Sequence, residues 1–396
     1  MPSSVLAPVF YLSVHYLLHE SSAPPSFIPK GTQLRSAHDS SRSCRGKRWA
    51  DSSHLPALAA LEEFDVTAVA TTNQASADRA AATHGARYAF ADAGELTAHP
   101  EVDLVVVSMK ASGHAAVIRA ALDAGKHVVS EWPLGVDADE AGELTEAATA
   151  AGVVHAVVLQ GHHSPSVRFA ADLLADGRIG MLESVSLVAE GAPWGGSRIP
   201  PNLVFGLDPS EGTNILTIMA GHFLATLEQV AGSLTEVSAR LPRTHDRVLV
   251  AGTERTVPNA TPSHVLLHGV LANGATASVA VHGGNGPARD GFRLELVGSD
   301  ATLTATPAQP GTFIHWGDWD IRIGDEALAM PDTYRTVPAS VQSGPPANIA
   351  ALYQEVAHAI TEARQPNPNF ETALRHHRLL AAIERSAADG MVQAIS

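Results

Sequence analysis

Apolar runs alternate with helical patterns from Trp49 to about Leu159. Short, almost uninterrupted apolar runs are typical of strands that are buried on both faces of a parallel sheet. Four such runs occur here: Val66–Ala70, Val102–Val107, His127–Ser130 and Val153–Leu159. Helical patterns separate them, and parallel strands joined by helices cross over with a right hand. The pattern therefore predicts an α/β domain with a Rossmann-type, doubly wound parallel sheet.

The helix between the last two strands has clear boundary signals. Asp137 is a natural N-cap, Glu140 follows it three residues later as in a capping box, and Gly152 suits a left-handed C-terminal position. We therefore expect a helix over residues 138–151.

The pattern changes after Leu159. A helix is predicted from Pro165 to Ala175, and longer alternating runs follow it. Asn273-Gly274 lies between two such runs and is a strong hairpin signal, because both residue types tolerate positive φ. The chain ends in two further helical patterns. We predict a Rossmann domain at residues 48–160 and an α+β domain with an open, mainly antiparallel sheet at residues 161–396, whose C-terminal helices pack back on the first domain.

Residues 1–47 differ from the rest. They are rich in serine and proline, end in a basic stretch and show no strand followed by a glycine-rich turn, which Gly31 and Gly46 do not supply. We expect a disordered extension here. The alternative is that the first strand and glycine loop are missing or altered through a wrong start or a reading-frame error.

Composition narrows the function. The 396 residues are 45% hydrophobic and 17% charged, as in a soluble globular protein, and a net charge of -15 argues against direct nucleic-acid binding. The single cysteine suits a reducing compartment, and Val5–Leu18 is too short to span a bilayer, so we expect a cytoplasmic protein. The twenty histidines lack zinc-site spacing, and His162-His163 are expected to bind no metal.

Candidate site residues follow the predicted strands. In an open α/β sheet the ligand lies beyond the carboxyl ends of the strands. The residues expected there to contact NAD or NADP are Thr72, Asn73, Ser108, Lys110, His114, Glu131, Trp132, Pro133 and Gln160. Thr72 and Asn73 leave room for a 2′-phosphate. Lys110 has a plain alternative as a solvated loop residue, and Trp132 as a side chain that closes the core.

The stretch Ala120–Val129 leading into Glu131-Trp132-Pro133 resembles the GFO/IDH/MocA oxidoreductases. Ser53–Ala57, Leu159-Gln160-Gly161 and the hairpin at Asn273-Gly274 resemble, within that family, the branch of the fungal galactose-regulon repressor. The resemblance covers roughly residues 49–390. It implies NAD(P)-dependent hydride transfer on a sugar or polyol-like substrate, with His222 as the catalytic acid or base.

Two departures from that family qualify the expectation. The enzymes usually carry Glu-Lys-Pro where this chain has Trp132 in place of lysine, and an indole has no transferable proton. Ile218 and Ala225 stand where aspartates are common. His222 then has an alternative role as a packed helix residue, and the chain an alternative function as a cofactor-binding regulator that acts through a protein partner. A homo-oligomer is expected in either case.

Overall fold

The computed structural model describes the backbone of residues 10–16 and the whole of residues 49–284 and 291–395. The expectations for Gly31, Gly46 and most of the segment 1–47 lie outside the described residues.

The first domain is built on a six-stranded sheet with the order β3-β2-β1-β4-β5-β6. Its strands are β1 Phe10–Tyr16, β2 Phe64–Thr71, β3 Tyr88–Phe90, β4 Leu104–Ser108, β5 His127–Glu131 and β6 His155–Val158. Strands β2 and β3 are parallel, as are β4, β5 and β6. The predicted doubly wound parallel sheet is confirmed. We expected no strand before Trp49, and β1 corrects this.

Strand β1 runs antiparallel to both of its neighbours. Phe10, its first residue, pairs with Thr71 and with Ser108, which are the last residues of β2 and β4. A strand can satisfy the backbone groups of both neighbours in either direction. The chain therefore enters β1 at the edge of the sheet where β2 and β4 end.

The described residues of this domain form six α-helices. They are α1 Trp49–Ser52, α2 His54–Ala59, α3 Gln74–His84, α4 Ala93–Thr97, α5 His114–Asp123 and α6 Ala138–Ala151. The boundary signals of α6 are confirmed. The Asp137 carboxylate accepts from the Glu140 backbone N–H at 2.9 Å, the Glu140 carboxylate accepts from the Val136 N–H, and Gly152 has φ of 66°.

The second domain contains a nine-stranded sheet with the order β17-β16-β15-β14-β7-β13-β12-β9-β18 and a three-stranded sheet with the order β11-β10-β8. The bounds are β7 Leu182–Glu190, β8 Arg198–Ile199, β9 Leu234–Arg240, β10 Arg247–Val250, β11 Thr256–Pro258, β12 His264–Leu271, β13 Thr276–His282, β14 Phe292–Gly298, β15 Thr302–Pro307, β16 Trp319–Ile323, β17 Glu326–Leu328 and β18 Gln393–Ala394. All but one of the pairings in the large sheet are antiparallel; β7 and β13 run parallel. The predicted fold class is confirmed.

Four helices complete this domain: α7 Pro165–Ala175, α8 Gly221–Ala231, α9 Pro345–Thr361 and α10 Phe370–Asp389. One face of the large sheet is buried and the other is partly exposed, as the alternation along β7 shows. Ser184 and Ser186 lie on the more exposed face, while Val185 and Leu187 are buried.

The last two helices contact the first domain. Helix α9 packs on α2, and α10 packs on α6. The turn between them is hydrogen-bonded to β6: Gln365 bonds both the Val153 carbonyl and the His155 N–H, and the Phe370 N–H donates to His155 Nδ1 at 3.2 Å. These bonds hold the amino end of β6, the edge strand of the first sheet, against the second domain.

Two glycines in this region make a matched test of the packing. A Cβ on Gly161, which follows β6, would lie well inside van der Waals distance of Thr226 Oγ1 on α8. A Cβ on Gly142, within α6, would meet nothing closer than a carbon of Leu374 at 3.8 Å. We expect Gly161→Ala to lower the free energy of unfolding by about 1–3 kcal/mol. Gly142→Ala should raise it by up to about 1 kcal/mol through helix propensity. Urea denaturation of both variants measures this, and equal effects would contradict the described contact between Gly161 and α8.

Candidate functional site

The carboxyl ends of four strands lie at one edge of the first sheet. Thr71, Ser108, Glu131 and Val158 are the last residues of β2, β4, β5 and β6. The predicted site residues Thr72, Asn73, Lys110 and Gln160 follow these ends directly. The edge faces the second domain, and a crevice at this edge is where open α/β sheets bind ligands.

Glu131 is the centre of a buried hydrogen-bond network. Its Oε1 accepts from Trp49 Nε1 at 2.7 Å and from His54 Nε2 at 2.6 Å. Because a carboxylate only accepts, Nε2 of His54 is the donor, and Nδ1 of the same ring is hydrogen-bonded to the Tyr353 hydroxyl at 2.7 Å. Burial, and then the negative charge of Glu131, raise the pKa of Tyr353 well above its usual range. The network joins β5 to α1, α2 and α9.

An aromatic segment of the second domain covers this network. Trp316 stacks on Trp49 with ring centroids 5.8 Å apart, and its Nε1 donates to Gln160 Oε1 at 3.2 Å. Phe313 and His315 lie beside it, with ring centroids 4.7 Å apart. We call residues 313–316 the aromatic segment. It places Gln160 and the Glu131 network under a wall supplied by the other domain.

Trp132 lies inside the protein and is only 3% exposed. Its Nε1 donates to the Thr217 carbonyl at 2.7 Å, and its ring lies 4.9 Å from that of His376 and 4.6 Å from that of His377. This environment favours the alternative in which Trp132 closes the core. Pro133, joined to it by a cis peptide, is also buried.

His222 lies near the start of α8. Asn214 caps the preceding π-helical turn, Ile215–Ala220, by accepting from the Leu216 and Thr217 N–H groups. Such turns are frequent near functional sites. Burial lowers the pKa of His222 to about 4, the Glu131 charge opposes this shift, and a positive charge on His376 would add to it. The ring is therefore neutral at pH 7, with Nδ1 enclosed and without a partner.

Lys110 and Glu211 connect the two domains. Lys110 Nζ lies 3.7 Å from Glu211 Oε1 and 4.3 Å from the ring centroid of Phe205. Ser112 donates to Glu211 Oε2 at 2.6 Å. Lys110 remains about one-third exposed, so it is a loop residue with a partner and not a freely solvated one.

The other predicted residues have more local environments. Thr72 and Asn73 are exposed, and the Asn73 side chain caps α3 by accepting from the Ser76 N–H at 2.9 Å. His114 is buried and its Nε2 lies 3.2 Å from the Met109 carbonyl. Burial lowers the pKa of His114. Ser108 is the last residue of β4 and pairs with Phe10 of β1.

Several residues at the crevice were not among the predicted site residues. They are Trp49, His54, Phe313, His315, Trp316 and Tyr353. The dense run Phe313-Ile314-His315-Trp316 was the one local signal for them. Asp208 caps a turn by accepting from the Ser210 N–H, and Asp318 forms an ion pair with Arg335.

Metal binding and membrane insertion have no support among the described residues. No group of three or more histidine, cysteine, aspartate or glutamate side chains there is arranged to hold a metal ion. No helix in the same part of the chain is long and apolar enough to cross a membrane.

The described residues supply polar side chains, but no glycine-rich turn, at this edge of the sheet. Lys110, Glu131 and Gln160 lie at or just beyond the ends of β4, β5 and β6. A pyrophosphate needs backbone N–H groups from a turn between the first strand and a helix. Because β1 is antiparallel, it ends at the opposite edge. Within the described ranges no such turn borders the crevice.

Comparison with known proteins follows this division of the chain. Residues 46–159 match the oxidoreductase family with an NAD-binding Rossmann fold, GFO/IDH/MocA, and residues 165–306 match the C-terminal domain of Gal80p. The first domain is thus similar to the NAD-binding Rossmann domain of the GFO/IDH/MocA oxidoreductases, and the second is similar to the C-terminal domain of Gal80p.

Curated relatives of this chain include both a regulator and a dehydrogenase. The galactose/lactose metabolism regulatory protein GAL80 of Saccharomyces cerevisiae is 24% identical over 267 residues, which cover 63% of this chain and 60% of that protein. The dehydrogenase aclE of Aspergillus oryzae is 27% identical over 216 residues, covering 53% and 58%. The chain thus spans about three fifths of the length of these relatives.

Solved structures share the fold of this chain. A super-repressor mutant of Gal80p from Saccharomyces cerevisiae has a TM-score of 0.78 at 21% identity, covering 89% of this chain and 95% of that one. Levoglucosan dehydrogenase, solved with NADH and levoglucosan, has a TM-score of 0.74 at 20% identity, covering 88% and 96%.

Buried histidines at the domain junction should lower the free energy of unfolding of this protein as the pH falls. Burial lowers the pKa of His162 and His377 to about 3, and that of His163 and His222 to about 4. In the unfolded chain these histidines have a pKa of about 6.5, so as the pH falls they take up protons there before they do so in the folded protein. The stability is fully present above about pH 6.5 and is lost as pH falls toward 4 and then 3, by up to about 1.4 kcal/mol per pH unit for each histidine.

Urea midpoints measured from about pH 7.5 down to about pH 4.5 test this expectation. His162→Gln should flatten the dependence, whereas His268→Gln, a change on an exposed strand residue, should not. An unchanged slope in His162→Gln would contradict the assignment.

Proposed function

We propose that the protein is an NAD(P)-dependent oxidoreductase that acts on a sugar or polyol-like substrate. The observation that carries this proposal is the position of His222. A neutral imidazole, close enough to Glu131 to sense its charge, lies beside the carboxyl ends of the strands of a dinucleotide-type sheet. The solved complex of levoglucosan dehydrogenase with NADH and levoglucosan supports the substrate class.

The residues of this chain would carry out the proton transfer in the reaction. In the neutral form, an imidazole nitrogen of His222 accepts the proton from a substrate hydroxyl that becomes a carbonyl. The nearby Glu131 carboxylate stabilises the imidazolium that results, consistent with the upward pull of its charge on the pKa of His222. Lys110, Glu131 and Gln160 would hold the nicotinamide riboside, and bound NAD(P) supplies the hydride acceptor.

A second candidate function is a cofactor-binding regulator that acts through a protein partner. Trp132 favours it, because the side chain in the position of the family's lysine is buried and hydrogen-bonded to Thr217. Ile218 supplies no carboxylate to His222. GAL80, a regulatory protein by name, is among the relatives. In this case turnover would be almost absent while ligand binding persisted.

The partly exposed face of the large sheet is our proposed homo-oligomer contact. It carries small side chains in register across adjacent strands, with Ser184 and Ser186 of β7 opposite Thr276 and Ser278 of β13. A flat face of small side chains lets a second copy approach closely. Light scattering should give a mass above that of one 41.3 kDa chain. A monomer at micromolar concentration would contradict the proposed contact.

Cofactor affinity should depend on whether a glycine-rich turn borders the carboxyl edge of the first sheet. We expect a variant with a glycine-rich turn placed before Trp49 to bind NAD(P) at least about tenfold more tightly than the native chain. The reason is that each charge-assisted hydrogen bond to the pyrophosphate contributes about 1.5–3 kcal/mol. Calorimetric titration measures both constants, and a matched insertion of alanines is the control. Equal affinities would show that other residues already supply the donors.

Removal of the imidazole at position 222 should abolish most turnover. We expect His222→Ala to lower kcat by about 10²–10⁴-fold while NAD(P) binding persists, because the proton acceptor is lost and Lys110, Glu131 and Gln160 remain. Absorbance of reduced nicotinamide with a panel of sugars and polyols measures kcat. His268→Ala is the exposed control. Strong native turnover that His222→Ala leaves intact would defeat the assignment, and no native turnover would favour the regulator.

A further inference from the structure

Three buried ring nitrogens of two neighbouring histidines have no hydrogen-bond partner. They are Nδ1 of His222 and both Nδ1 and Nε2 of His315. The two ring centroids are 4.9 Å apart and the rings meet edge to face. An unpaired buried polar group costs about 1–3 kcal/mol, so three such nitrogens in two adjacent rings are a substantial cost.

His315 is packed among aromatic side chains and is hydrogen-bonded to α9. Its carbonyl accepts from the side-chain amide of Asn348, near the start of α9. Its ring is flanked by Phe313 and His222, with Trp316 on a further side at 6.2 Å. The ring itself is 2% exposed. The His315 carbonyl therefore has a hydrogen-bond partner, whereas the two ring nitrogens have none.

The charge state of the pair restricts what it can bind. Burial, and then the proximity of His222, lower the pKa of His315 well below its usual range. Both rings are neutral at pH 7, so each offers one N–H donor and one acceptor nitrogen. The Glu131 charge reaches His222. The site thus combines donors and acceptors with a negative potential, which suits uncharged hydroxyl groups and disfavours carboxylates and phosphates.

We propose that His315 is a specificity-determining residue that binds a substrate hydroxyl adjacent to the one held by His222, and so selects uncharged compounds with vicinal hydroxyl groups. This inference rests on the proposed oxidoreductase function and names the substrate class of the same site. The ring nitrogens are enclosed, so this proposal requires the aromatic segment to move away from α8 when the ligand binds.

The test observes the two imidazoles directly. The full-length protein is labelled with ¹³C at histidine Cε1, and His222→Gln and His315→Gln assign the two signals. The probes are myo-inositol, D-glucose and levoglucosan as vicinal polyols, cyclohexanol as a single hydroxyl, and D-gluconate as an anion. The proposal predicts that at least one polyol shifts both signals, and that neither cyclohexanol nor D-gluconate does so.

Variants at position 315 separate binding from packing. His315→Phe keeps a ring of similar size without polar atoms, and His315→Asn keeps a donor and an acceptor. We expect His315→Phe to weaken polyol binding about tenfold or more, as the loss of hydrogen bonds to neutral groups implies, and His315→Asn to recover part of it. KM should rise in His315→Phe with a smaller change in kcat. His264→Phe, on the large sheet, is the matched control.

The outcomes distinguish this inference from the proposed function. Polyol-dependent shifts without turnover would support the binding site and reject the oxidoreductase activity. Turnover with an unchanged KM in His315→Phe would support the activity and overturn the role of His315. Failure of all three polyols to shift the His315 signal overturns the inference, and so does an equal response to D-gluconate.

Discussion

A buried carboxylate, Glu131, sets the arrangement of this protein. A charge removed from water must be paired and hydrogen-bonded, because an uncompensated one costs several kcal/mol. Glu131 meets this requirement through Trp49 and His54, and His54 in turn requires Tyr353. Three helices, α1, α2 and α9, are thereby fixed around the end of one strand, β5. The aromatic segment then packs on Trp49, so the wall of the crevice depends on the same carboxylate.

Local signals predicted most of the fold. Buried parallel strands are apolar throughout, and the capping residues of α6 lie next to it in the sequence. A short stretch of sequence was therefore enough to predict both. The hairpin at Asn273-Gly274 was equally clear, and β12 and β13 pair across it. Strand β1 was not predictable in this way. Its position is determined by the exposed backbone groups of β2 and β4, which can bond a strand of either direction.

The site was only partly predictable, because its geometry depends on long-range contacts. Strand ends identified Glu131 and Gln160, since any parallel sheet places them at one edge. The hydrogen-bonded pairs around these residues join distant parts of the chain. Tyr353 is 299 positions from His54, and Trp316 is 156 from Gln160. Spacing cannot reveal such pairs. Trp132 shows the opposite problem, because a strand-end position suggested contact with ligand while the indole packs between two histidines of α10.

The packing of Trp132 has an evolutionary consequence. A lysine in that place would put an ammonium group beside His376 and His377 and would leave the Thr217 carbonyl to a new donor. The surrounding residues now fit the indole, and Gly221 leaves it room, since a Cβ there would lie 2.8 Å from its Nε1. Exchange between the tryptophan and lysine forms of this family is therefore not a single mutational step. Lineages on either side of it should stay apart unless α8 and α10 change together.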